Sequence, residues 1–103
     1  MLITFRIYAV SIRFYQLCRK LVLPAELKSQ LVRASSSVSL TLAEGYGRIY
    51  AREKIRFYRI SLGSLRECQA VFALGEVTDP EVLDLADYLG ASLYKLANKP
   101  LSR

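Results

Sequence analysis

The sequence predicts an all-α chain: an antiparallel up-down-up-down four-helix bundle, with residues 1–103 as a single domain. Three observations point there. No stretch alternates apolar and polar residues at period two. Apolar residues recur at three- and four-residue spacing in four successive segments. Glycine and proline punctuation is sparse, with five Gly and three Pro in the chain. Short connections between amphipathic helices favour antiparallel neighbours.

The first helix is expected at about residues 3–22, with Ile7, Val10, Phe14, Leu17 and Leu21 as its buried stripe. The second is expected at about 24–46. Pro24 suits its first turn, where a missing N–H costs nothing, and Leu27, Leu31, Ala34, Val38 and Leu42 form its stripe. Gly45 and Gly47 are its expected terminators, because glycine accepts the left-handed conformation that closes many helices. The third is expected at about 50–74, with Tyr58, Ser61, Leu65, Cys68 and Phe72 on its apolar side. The fourth is expected at about 79–98, with Val82, Ala86, Leu89, Leu93 and Leu96 as a bundle seam. Its start has two readings. Thr78 with Glu81 spells a capping box, and Asp79 before Pro80 spells a cap followed by an N1 proline.

Composition narrows the function. Fifteen Lys and Arg oppose nine Asp and Glu, for a formal charge of +6, and there is no histidine. Residues 1–75 hold twelve basic and four acidic side chains, whereas residues 76–103 hold three basic and five acidic. A basic body with an acidic end points to a directed electrostatic face. Cys18 and Cys68 lie fifty residues apart with no CxxC. They read as buried thiols of a reducing compartment, with a disulfide as the alternative. Arg6 and Arg13 interrupt the apolar N-terminus before it reaches the roughly 18 residues of a membrane span. The order of a signal peptide is absent, so a cytoplasmic chain without membrane association is expected.

The stretch "RASSSVSLTLAEGYGR", Arg33 to Arg48, holds five hydroxyl residues in its first nine positions. At 100° per residue Arg33, Ser37, Thr41, Glu44 and Arg48 fall within about 80° of one another, on a shoulder beside the apolar stripe. Serine and threonine are poor helix formers, so their use there implies a constraint of size. Helix three offers a matching constraint at Gly63 and Ser64. A mid-helix glycine costs about 1 kcal/mol relative to alanine. A hairpin turning near Ile49 sets Ala34 and Ser35 level with Ser64 and Gly63, Ser37 opposite Ser61, and Glu44 near Lys54. Arg33, Ser37, Thr41, Glu44, Gly63 and Ser64 are therefore read as a helix-packing or oligomer interface. Glu44 lacks a second acid, a base or a metal nearby and is read as an i,i+4 partner of Arg48. No catalytic residue, metal ligand or cofactor motif is assigned, and the chain is expected not to be an enzyme.

Arg52, Arg56, Arg59 and Arg66 project from one face of helix three, with Arg48 leading in and no acid within the row. Arginine forks match phosphate geometry, and a row at one-turn spacing suits a nucleic-acid backbone. Tyr46, Tyr50 and Tyr58 interleave aromatic surface. The alternative reading is a solvated face or a subunit contact.

The runs "QLVRASSSVSLTLAEGYGR" and "KIRFYRISLGSLRE" resemble the four-helix bundle proteins encoded in intervening sequences of bacterial 23S ribosomal RNA genes. The dense match covers about 40 residues, and the helix layout extends it along the chain. That family usually has asparagine where this chain has Thr41. The resemblance implies an antiparallel four-helix bundle and a ring-like homo-oligomer, with a pentamer expected. Related bundle proteins serve as basic accessory subunits of reverse transcriptases in diversity-generating retroelements. The resemblance thus implies RNA or DNA, a reverse transcriptase or another protein as partners.

Overall fold

The computed structural model describes residues 2–101, so residues 1, 102 and 103 of the expected domain lie outside the described residues. It contains four helices: α1 (Leu2–Lys20), α2 (Ala25–Tyr46), α3 (Ala51–Leu74) and α4 (Pro80–Ala97). All four expected segments form, and the differences lie at their ends.

α1 stops at Lys20, two residues before the expected end. Pro24 excludes helical backbone from the residue before it, so the chain must leave the helix first. Lys28 Nζ donates to the Leu21 carbonyl at 2.6 Å, satisfying an acceptor that the connector leaves open. Pro24 itself sits at the N-cap of α2 with extended backbone, φ −54° and ψ 146°, one position earlier than expected. Its carbonyl accepts the first helical bond, from Lys28 N at 2.9 Å.

The two glycines expected to close α2 do different work. Gly47 is the C-cap, but with right-handed backbone, φ −82° and ψ −5°. Gly45 is a buried helical residue whose added Cβ would meet Tyr58 Cε1 at 2.7 Å and Phe57 Cβ at 3.0 Å. It is therefore the close-approach point of α2 and α3.

α3 ends in a Schellman arrangement: Val77 N bonds the Phe72 carbonyl at 2.9 Å, and Glu76 N bonds that of Ala73 at 3.3 Å. The left-handed position is Glu76, at φ 54°, where glycine is usual. Asp79 resolves the start of α4, since its Oδ1 accepts from Glu81 N at 2.9 Å and Val82 N at 3.3 Å, with Pro80 at N1.

Cross-helix contacts run in opposite directions along each neighbouring pair. Along α2 and α3, Arg33 pairs with Glu67, Ser37 with Ser64, Val38 with Ser61 and Tyr46 with Lys54. Arg59 reaches Ala97, and Arg66 lies against Gly90, which sets α4 antiparallel to α3. Arg13 meets Glu81, while Thr4 and Leu96 share a cleft, so α1 closes against α4. α1 touches α2 through Ser39 and Ser11, 2.9 Å apart. The order is up-down-up-down.

The core lies along the axis. Phe14, Leu31, Leu42, Leu65, Leu89 and Leu93 are wholly buried. The Phe14 and Phe72 rings meet edge-on across the diagonal at 6.0 Å. Cys18 and Cys68 are buried free thiols. Burial pushes the Cys18 thiol from its ordinary value of 9.0 to about 12 and raises that of Cys68 as well. Ser11, Ser35 and Ser61 are buried too, and each hydroxyl donates to a backbone carbonyl: Tyr8, Val32 and Val38 respectively. Among the described residues, no buried side-chain nitrogen or oxygen lacks a partner.

Gly63 corrects one expectation. It is exposed, and an added Cβ there would meet nothing within 4 Å. The α2–α3 seam runs through Ser61, Ser64 and Glu67 instead, in a register one to three residues further along than a turn at Ile49 implies. Gly63 lies two residues, about 200° of helix turn, from the buried Ser61 and Leu65, which puts it on the outer face of α3.

Candidate nucleic-acid interface

The polar shoulder of α2 lies beside the α2–α3 seam. The Ser37 and Ser64 hydroxyls are 2.7 Å apart, where Ser61 was the expected partner. Thr41 Oγ1 donates back to the Ser37 carbonyl at 2.6 Å, so it is satisfied within its own helix. Arg33 Nη2 meets Glu67 Oε2 at 2.9 Å and Arg48 Nη2 meets Glu44 Oε2 at 3.7 Å. Both pairs are substantially exposed, and pairs of that kind contribute about 0–1 kcal/mol each. Glu44 does not reach Lys54, whose Nζ instead donates to the Tyr46 carbonyl at 2.9 Å and bridges the hairpin.

The arginine row on α3 is held by its neighbours rather than by acids. Among the described residues, none of Arg52, Arg56, Arg59 and Arg66 forms an ion pair with a carboxylate. Arg56 lies over the Phe57 ring at 4.7 Å and Arg48 over the same ring at 4.6 Å, so one aromatic side chain orients two guanidinium groups. Arg59 Nε donates to the Ala97 carbonyl at 3.3 Å, near the negative end of α4. Arg66 donates to Gln69 Oε1 at 2.8 Å and lies so close to Gly90 that an added Cβ there would meet Nη1 at 2.9 Å. The row therefore divides. Arg48 and Arg56 gather on Phe57, whereas Arg59 and Arg66 lean across α4. Arg52 makes no hydrogen bond or ion pair among the described residues.

Arg52, Arg56 and Arg59 line a cleft of about 620 Å³ together with Lys99. Lys99 follows α4 and joins a site built on α3, so no periodicity along one helix could have marked it. Tyr46 and Tyr50 are exposed, whereas Tyr58 is buried and has its phenol pKa raised, first by burial and then by Tyr46. Of the three interleaved tyrosines, Tyr58 belongs to the core.

Among the described residues, no group of three or more His, Cys, Asp or Glu is placed to hold a metal ion. Nor is any described helix long and apolar enough to cross a membrane. No curated protein and no solved structure matches the chain. A family model does, over residues 4–96, which span all of α2 and α3 and nearly all of α1 and α4. By that match the chain belongs to the 23S rRNA-intervening sequence protein family.

Proposed function

We propose that this protein is a non-enzymatic, basic, homo-oligomeric bundle of the cytoplasm that binds RNA or DNA through Arg48, Arg52, Arg56, Arg59 and Arg66. The observation that carries this reading is the cation row on α3, in which Arg52, Arg56, Arg59 and Arg66 have no acidic partner among the described residues. A guanidinium group without a carboxylate keeps its forked donors for phosphate. Assembly would multiply the effect: a ring of five chains carries a formal charge of about +30. Such a ring would suit an accessory subunit that delivers nucleic acid to a polymerase such as a reverse transcriptase. Titration of labelled RNA across a salt series tests the reading. Measurable affinity at low salt that weakens steadily as salt rises is the expected result. No measurable affinity at low salt overturns it.

A second reading makes the chain a protein–protein adaptor or a structural oligomer. Gly63 favours it. This glycine sits mid-helix, exposed, with no close neighbour in its own chain, one turn from the part-exposed Ile60. A second chain packed against α3 would give that missing side chain a purpose.

A further inference from the structure

Two clefts open side by side at the end of the bundle where α3 begins and α4 ends. The first, of about 360 Å³, is lined by Tyr46, Lys54, Tyr58 and Leu96. The second, of about 620 Å³, is lined by Arg52, Arg56, Arg59 and Leu101. Ile55 and Lys99 border both, so the two clefts adjoin. Both volumes fall in the roughly 300–1,000 Å³ range of ligand sites. Among the described residues, no acidic side chain lines either cleft.

Their chemistries complement each other. The first sets the Tyr46 and Tyr58 rings and aliphatic side chains beside two ammonium groups, Lys54 and Lys99, with Lys54 Nζ 5.9 Å from the centre of the Tyr46 ring. The second sets three guanidinium groups beside aliphatic side chains. Several of the cations are pre-oriented: Arg56 by the Phe57 ring, Arg59 by the Ala97 carbonyl and Lys54 by the Tyr46 carbonyl. Arg52 and Lys99 make no hydrogen bond or ion pair among the described residues, so their donors remain open. The occupant this combination fits has a flat apolar body and more than one negative charge. Arginines one turn apart, with about 5–6 Å between Cβ atoms, suit successive phosphates of a strand better than the single phosphate of a lipid headgroup.

We infer that the two clefts form one site for an unpaired nucleotide of a single strand. Its base enters the first cleft beside Tyr46 and Ile55, and its flanking phosphates lie on Arg52, Arg56, Arg59 and Lys99. The inference rests on the nucleic-acid reading of the arginine face and adds a contact to the base. A base held in a duplex is stacked on both faces and paired along one edge, and cannot enter.

The test uses the whole chain at low salt with four probes: a short oligoadenylate, an abasic oligomer of the same length, adenosine monophosphate, and phosphatidylserine vesicles. Oligoadenylate is expected to bind about tenfold more tightly than the abasic oligomer. Tyr46→Ala should remove that preference, so that the variant binds the two oligomers equally, and a preference that survives in the variant overturns the base contact. Equal affinity of the wild-type chain for both oligomers overturns the base contact and leaves the phosphate reading standing. Binding of neither oligomer overturns both readings. Adenosine monophosphate binding as tightly as the oligomer overturns the strand as ligand, and binding of the vesicles alone overturns nucleic acid as the occupant.

Discussion

At Gly45 an added methyl would sit 2.7 Å from the Tyr58 ring and 3.0 Å from Phe57 Cβ. The second contact is next to the α3 backbone and cannot swing away. Gly45→Ala should therefore destabilise the fold by about 1–3 kcal/mol, read as a fall in thermal midpoint. Gly63 asks the opposite. An alanine there meets nothing within the chain, so Gly63→Ala should stabilise the isolated chain by about 1 kcal/mol. If subunits pack against it, the same substitution should lower the assembled mass in light scattering. The period of α3 alone sets Gly63 about 200° from the buried Ser61 and Leu65, on the outer face. Gly45 is different, because nothing in α2 reveals that Phe57 and Tyr58 of α3 close over it. The thiols make a separate prediction. Cys18 titrates near 9 when unfolded and near 12 when folded, so the folded chain holds its proton over that window and the unfolded chain does not. Stability from the buried neutral thiols should be complete below about pH 9 and decline as pH rises toward 12. Denaturant midpoints measured from pH 8 to pH 11 would show that fall, and a flat profile would contradict it.

The elements were legible in outline because each carries a wide apolar stripe whose period needs no tertiary information. Their ends were less so. Pro24 was readable as helix-starting but not as N-cap or N1, a choice set by how the chain turns from Lys20. The end of α3 hid more. Glu76 holds the left-handed position while Gly75 beside it is spent on packing, since a Cβ on Gly75 would meet Leu23 Cδ2 at 2.6 Å. A sequence reader assigns the left-handed role to the glycine, because nothing local reveals Leu23. The consequence is testable: Glu76→Gly should stabilise by about 1 kcal/mol, measured by chemical denaturation, because it removes the left-handed penalty without touching the hydrogen bonds of the motif. Between elements, the seam of hydroxyls was visible as composition, but its partners were not. Ser37 meets Ser64, one turn from the expected Ser61, because a hairpin register depends on the loop conformation that the sequence does not specify.

At the scale of the molecule, the charge gradient gathers on α3, and the acidic end lies largely on α4. Glu81 is engaged by Arg13, and Asp79 caps its own helix. The arginine row was readable from i,i+3 and i,i+4 spacing. The adjoining clefts were not, because Lys99 and Leu101 reach them from the far end of the chain and Tyr46 from α2. A site assembled from three segments leaves no period in any one of them. The central claim is that these cations bind phosphate, and the most direct test is the salt dependence of RNA binding by the wild-type chain and by a chain with Arg52, Arg56 and Arg59 all replaced by glutamine. Each phosphate contact to a single strand adds about 0.7 to the slope of log affinity against log salt. The account predicts that the triple substitution lowers the slope by about 2, with the helical content unchanged by circular dichroism. An unchanged slope in a folded variant would contradict it.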